Sequence, residues 1–122
     1  MPRPVHFEIP ATNLQKTMDF YSHVFGWKFK KWDGPMEYWL ITTGESPEPG
    51  INGGMLARRD PQQPCVNTIG VENLDKTIAA VLANGGSIAV PKMPIPTMGW
   101  LAYCKDNEGN MFGMMQPDPN AK

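Results

Sequence analysis

The sequence predicts an α+β fold built as one domain from two similar halves, and three observations carry that expectation. The chain nearly repeats itself sixty residues apart: Asn13-Leu14-Gln15-Lys16-Thr17-Met18 returns as Asn73-Leu74-Asp75-Lys76-Thr77-Ile78, with Pro4, Ile9 and Gly26 matched by Pro64, Ile69 and Gly86. Each copy opens on a strand-like segment and passes into helical spacing. Thirteen prolines and twelve glycines divide the rest of the chain into short elements joined by turns. A repeat near sixty residues is too long for a solenoid unit and too short for two independent domains. It therefore implies one domain of two modules, and the differences between the copies are where function is to be sought.

In the first module, Val5-His6-Phe7-Glu8-Ile9 alternates apolar and polar as a half-buried strand does. Pro10 and Asn13 are expected to end it, Asn13 as the N-cap of a helix carrying Leu14, Met18, Tyr21 and Phe25, with Gly26 at its C-terminus. Trp27–Trp32 and Glu37–Thr42 read as strands around the turn Asp33-Gly34-Pro35, and a short strand comes next near Gly53–Arg58. The second module repeats the order. Val66–Val71 is a strand, Asn73 caps a helix carrying Leu74, Ile78, Val81 and Leu82, and Gly85-Gly86 ends it. Ser87–Val90, Trp100–Lys105 and Met111–Gln116 are the remaining strands, the last preceded by the turn Asp106-Asn107-Glu108-Gly109. The boundaries are module one at about 4–58, a joint at 59–64, module two at about 65–117 and a tail at 118–122. Each helix covers one face of its strands, leaving the other face to line a groove or meet the other half.

Composition removes several function classes. A formal net charge of −1, from 11 basic and 12 acidic residues, gives no electrostatic case for nucleic acid or an anionic membrane. No apolar run approaches a membrane span, and the N-terminus lacks a secretory layout. Cys65 and Cys104 fit neither a metal spacing nor a disulfide framework and read as small buried residues, so a reduced, cytoplasmic setting is expected. Lys28, Lys30 and Lys31 alternate with aromatics and suit a protected sheet edge.

Several segments together resemble a known superfamily. Phe7-Glu8-Ile9-Pro10 before Asn13-Leu14, Phe20-Tyr21-Ser22-His23-Val24-Phe25-Gly26-Trp27, Gly99-Trp100, and Asp106-Asn107-Glu108-Gly109-Asn110-Met111-Phe112-Gly113 are similar to the vicinal oxygen chelate superfamily. That superfamily holds glyoxalase I, bleomycin-resistance proteins and extradiol dioxygenases, and the chain looks most like its single-domain, glyoxalase-related bacterial branch. The resemblance implies two tandem βαβββ modules forming a curved mixed sheet around a groove, and a homodimer. It also implies one divalent ion, held by His or Glu on the first strand of each module and Glu or Gln on the last, chelating two neighbouring substrate oxygens as a Lewis acid.

Carried over position by position, those ligands are mostly missing. His6, seven residues before Asn13, is the expected type, but its counterpart is Val66. The last-strand positions are Gly113 and Gly53, or Gly54 if the register slips by one, and only Asn52 lies near enough to offer an amide. Three of four positions lack a donor, so the expectation is a protein without the family's metal.

Alternation places His6 and Glu8 on one face of the first strand, roughly 7 Å apart, and these are the candidate catalytic pair, with Glu8 as base and His6 as acid or orienter. Thr68 matches Glu8 and offers a hydroxyl to a ligand. Trp39, Trp100 and Tyr103 lie on strands expected to form the groove, while Trp27, Phe20 and Tyr21 seal the helix against its sheet. Pro91–Met98 reads as a proline-stiffened loop bearing Met98 at a pocket wall. The leading functional expectation is a metal-independent protein binding a small organic ligand in an apolar, aromatic groove. The alternative is a lactoylglutathione lyase-like or isomerase-type enzyme, using His6 with a recruited ion or the His6/Glu8 pair.

Overall fold

The computed structural model describes residues 1–122 and contains the two βαβββ modules in the expected order. The chain divides into two compact units, His6–Cys65 and Val66–Lys122, and the first five residues belong with the second.

In the first unit, strand β1 (Arg3–Ala11) leads into helix α1 (Leu14–Phe25), then β2 (Lys28–Lys31), β3 (Tyr38–Thr42) and β4 (Gly53–Ala57). The strands lie in the order β2-β3-β4-β1, with β1 parallel to β4 and the other pairs antiparallel. Asn13 caps α1 as expected: its Oδ1 accepts from the Lys16 N–H at 3.0 Å, meeting one of the helix's orphan donors. Gly26 closes the helix at φ 75°, a left-handed conformation that favours glycine, and its N–H reaches the Ser22 carbonyl. Met18 packs with Ala11, Ile41 and Met55 in the buried cluster, and Phe7, Ile9, Tyr21, Trp27 and Trp39 close around it. Tyr21 stacks on Trp27 with centroids 4.9 Å apart, the seal expected of these aromatics. Phe20 stays exposed. β2 is an edge strand with Lys28, Lys30 and Lys31 facing solvent.

β1 runs past Pro10, where alternation and proline suggested it would stop. Proline costs only an N–H, and the Pro10 carbonyl remains useful: Arg58 donates to it through Nη2 at 3.2 Å. That contact extends the β1–β4 pairing, whose register sets Glu8 opposite Gly54 and Ile9 opposite Met55.

The second unit repeats the plan. β5 (Val66–Gly70), α2 (Leu74–Ala83), β6 (Ser87–Ile95), β7 (Gly99–Lys105) and β8 (Met111–Pro117) give a sheet ordered β5-β8-β7-β6. Here β5 and β8 are parallel, and β8–β7 and β7–β6 antiparallel. Asn73 caps α2 through the Lys76 N–H at 3.0 Å. Leu74, fully buried, anchors a cluster with Val71, Ala102, Cys104 and Met114. Burial of one such leucine contributes about 2 kcal/mol.

The proline segment departs from expectation. Residues 91–95 continue β6 rather than forming a loop, and only Pro96–Met98 turns. β6 is an edge strand, where missing proline N–H groups are tolerated. Irregular steps between Ile88 and Val90, and between Val90 and Met93, take up the mismatch with β7. The turn holds Thr97 at φ 65°, fixed by its N–H to the Ala121 carbonyl at 2.9 Å. Cys104 is buried as expected, but Cys65 is exposed because it precedes β5 instead of lying within it. No helix is long and apolar enough to cross a membrane.

Candidate functional site

Strand pleating decides which residues share a face. In β3, Ile41 and Trp39 point into the cluster beneath α1, so Tyr38 points to the opposite side. In β1 the same rule puts His6 and Glu8 on Tyr38's side, away from Phe7 and Ile9. Tyr38 then joins them. Its hydroxyl donates to Glu8 Oε2 at 2.7 Å and lies 2.8 Å from His6 Nε2. The gap between same-face neighbours on β1, too wide for a direct hydrogen bond, is spanned by a phenol from another strand.

Counting protons assigns the direction. Tyr38 has one hydroxyl proton and gives it to the Glu8 carboxylate, so its oxygen accepts at the other contact and His6 Nε2–H donates. The chain runs from imidazole to phenol to carboxylate. Nδ1 takes no hydrogen bond from the protein; since every buried side-chain nitrogen and oxygen has a partner, Nδ1 is open to solvent. Burial pushes the His6 pKa below its ordinary value, and the Glu8 charge opposes that shift without cancelling it. His6 is therefore a neutral base at pH 7. Glu8 is only 8% exposed, so solvent screens its charge weakly.

Two neighbours shape this face. Gly54, opposite Glu8, is buried, and a Cβ there would fall on the Tyr38 hydroxyl and ring. Trp32 meets Tyr38 edge-on with centroids 6.2 Å apart, and its backbone N–H donates to the Tyr38 carbonyl at 2.8 Å. Gly34 lies beneath the Trp32 ring and leaves room for it.

Of the other residues singled out from the sequence, Trp39 lies in this unit, and Thr68, Met98, Trp100 and Tyr103 lie in the second. Trp39 is packed against the α1 cluster. Trp100 likewise lies against the α2 cluster, with Nε1 donating to Asp118 at 3.0 Å and Lys92 Nζ 4.8 Å from the ring centroid. Both tryptophans thus occupy the helix-covered side of their sheets. Thr68 is buried opposite Gly113, and Tyr103 pairs with Gly113 from the other side. A Cβ at Gly113 would lie 3.3 Å from both Thr68 Oγ1 and a Tyr103 ring carbon. Met98 is half exposed in the β6–β7 turn. Tyr38, Trp32 and the role of Gly54 were not foreseen from the sequence. Alternation within Tyr38-Trp39-Leu40-Ile41 carried a signal, since an inward Trp39 requires an outward Tyr38. The adjacent Gly53-Gly54 carried another, because glycine in a strand marks a close approach.

The donors do not fit the divalent ion that the resemblance implies. Register settles the first-module position: Gly54 stands opposite Glu8 as Gly113 stands opposite Thr68. Both are glycines, Val66 has no donor, and His6 Nε2 is engaged by Tyr38. Nowhere do three His, Cys, Asp or Glu side chains gather in a way that could hold an ion. Two surface depressions lie elsewhere, one of about 320 Å³ between Met1, Pro2 and the start of α2 and one of about 290 Å³ in the Thr43–Asn52 loop. Neither contains a hydrogen-bonded acid–base chain, so chemistry rather than size locates the site at His6.

Comparison with known proteins gives the family context. A family model described as the Glyoxalase/Bleomycin resistance protein/Dioxygenase superfamily matches residues 3–114. A glyoxylase-like domain-containing protein of Didymella fabae is 31% identical over 108 residues, covering 84% of each chain. Among solved structures, a hypothetical protein of Bacillus halodurans C-125 superposes with a TM-score of 0.72 at 15% identity, covering 99% of this chain and 98% of that one. A methylmalonyl-CoA epimerase of Mycobacterium tuberculosis superposes with a TM-score of 0.70 at 12% identity, covering 95% and 88%. At such identities these structures establish the fold and leave the reaction open.

Proposed function

The chain belongs to the glyoxalase/bleomycin resistance protein/dioxygenase superfamily, and from that premise we propose a role that needs no metal: it binds a small organic molecule beside His6 and takes a proton from it at Nδ1. The observation that carries this reading is the hydrogen-bonded chain His6–Tyr38–Glu8. A neutral imidazole with one open nitrogen and a buried carboxylate behind it suits a general base.

The proton balance is simple. The ligand's proton passes to Nδ1, and its bonding electron pair stays on the ligand. The Nε2 proton shifts to the Tyr38 oxygen, and the Tyr38 proton shifts to Glu8. Imidazole and phenol both end neutral, and the charge lost at Glu8 reappears on the ligand. Glu8 is thus the final proton store and His6 the group that meets the ligand. This inverts the roles assigned from strand spacing alone, because Glu8 is the more buried of the two.

A proton on carbon beside a carbonyl is the natural target, since the resulting anion is delocalised. The epimerases that share the fold act, by their name, on such an acyl thioester, so acyl thioesters join 2-oxo acids and 1,3-dicarbonyl compounds in the test panel. The protein is incubated with each compound in D₂O, and deuterium incorporation is followed by proton NMR. Exchange that disappears in His6→Ala supports the reading; exchange that persists in His6→Ala counts against it. Ligand binding that depends on His6 without exchange reduces the role to that of a binding protein. The same reading takes the chain as a cytoplasmic homodimer. Exposed Ile88 and Val90 on β6, and Phe20, Val24 and Phe25 on α1, supply apolar surface for a second copy, and sedimentation equilibrium tests that assignment.

A further inference from the structure

The pleat that sets His6, Glu8 and Tyr38 on one face of their sheet also sorts the lysines of β2. Phe29 packs into the cluster beneath α1, so Lys28 and Lys30 point to the opposite face, the one that carries His6. Lys31 has the parity of Phe29 and pairs with Trp39, on the helix side. Register then places Lys28 and Lys30 across the sheet from the acid–base chain. Lys30 stands opposite Leu40, Leu40 opposite Gly54, and Gly54 opposite Glu8. Lys28, opposite Thr42, lies two residues on, in the direction of His6. Three strand spacings separate β2 from β1 in the order β2-β3-β4-β1, a span of about 14 Å. Between the two ends lie the Tyr38 ring, which crosses Gly54, and the exposed side chain of Leu40. Both lysines are exposed and neither is ion-paired, whereas Lys92 is held by Asp75 at 3.1 Å.

We infer that Lys28 and Lys30 form an anion subsite for the ligand whose proton His6 takes. That ligand is then an acidic carbonyl compound with a carboxylate or phosphate on a chain remote from its acidic carbon. An apolar linker of several methylenes suits the span, because it crosses Leu40 and the Tyr38 ring. Lysines hold such a group as mobile point charges without demanding one geometry, so the pair selects charge and length. These contacts are far from the reacting carbon and equal in the ground and transition states, so they lower KM and leave kcat unchanged. The inference rests on His6 being the group that meets the ligand, but binding alone reads it.

The probes are 2-oxooctanedioate, its analogue with a terminal phosphonate, and 2-oxooctanoate, which ends in a methyl group. Each is titrated into the protein by calorimetry and followed for deuterium exchange in D₂O. Wild type is expected to bind the two compounds with a charged end about tenfold more tightly than 2-oxooctanoate, about threefold from each lysine, as suits exposed charge pairs. The preference should appear in KM and not in kcat, shrink with added salt, and disappear in Lys28→Gln/Lys30→Gln. Lys31→Gln, which removes the same charge from the same strand on the other face, should keep it. Either order of carboxylate and phosphonate supports the subsite, and the tighter of the two names the end group it takes. Equal affinity for all three compounds, no binding of the two charged-end compounds at millimolar concentration, or a preference lost as fully in Lys31→Gln overturns the inference and leaves the lysines as edge protection. Lysine-dependent binding without exchange keeps the subsite and refutes the proton transfer, and His6-dependent exchange without a charge preference does the opposite.

Discussion

Tyr38→Phe removes one oxygen and nothing else, and that oxygen joins two strands. The hydroxyl makes one bond to a carboxylate and one to an imidazole, at 2.7 and 2.8 Å. A hydrogen bond to a charged group contributes about 1.5–3 kcal/mol and a neutral one about 0.5–1.5 kcal/mol. Some of this is recovered, because the phenylalanine ring keeps its packing against Trp32 and solvent reaches His6. A net loss of about 2 kcal/mol is therefore expected. Unfolding entropy of about 2.1 cal/mol/K per residue, over 122 residues, gives about 0.26 kcal/mol/K, so the melting temperature should fall by about 8 °C. Urea unfolding monitored by tryptophan fluorescence gives the free energy and calorimetry the temperature. The double-mutant cycle with Glu8→Gln should show coupling of at least about 1 kcal/mol. A Tyr38→Phe protein within about 0.5 kcal/mol of wild type, or a cycle with no coupling, would refute the hydrogen-bonded chain as a structural element.

Three further outcomes are expected from the same geometry. Gly54→Ala should destabilise by about 1–3 kcal/mol through overpacking on Tyr38, and most of that cost should vanish in a Tyr38→Ala background, as measured by urea unfolding. Asn13→Ala and Asn73→Ala each remove an N-cap acceptor and should each cost about 1 kcal/mol, additively, by the same assay. The lowered His6 pKa makes the unfolded chain bind the proton more readily. Stability should therefore fall as pH drops from about 6.5 through the folded-state value, and flatten below it. His6→Gln should remove that part of the slope when unfolding is compared at about pH 7.5 and about pH 5; an unchanged slope would contradict a depressed His6 pKa.

The fold was largely legible because its cues are local. Asn13 and Asn73 announce their helices by residue type, and the repeat supplied a ruler between modules. The site was legible only in part. His6 and Glu8 could be put on one face by alternation, because pleating is a property of a single strand. Tyr38 could not be added to them, since its place depends on β3–β4 and β4–β1 registers that pair residues far apart in sequence. The same limit explains Trp39 and Trp100, whose strands were recognised while their facing was not. Residues 91–95 were misread for a different reason. Proline content argues against a central strand, and the sequence alone did not reveal that β6 would lie at an edge.

The central claim is that His6 is a neutral imidazole donating through Nε2 to Tyr38, which donates to Glu8. Nitrogen-15 NMR of histidine-labelled protein reads both the protonation state and the tautomer, with His6→Ala identifying the resonance against His23. At pH 7 the expected result is a neutral His6 with its proton on Nε2, and a loss of that tautomer preference in Tyr38→Phe. An imidazolium at pH 7, or a proton resident on Nδ1, would contradict it.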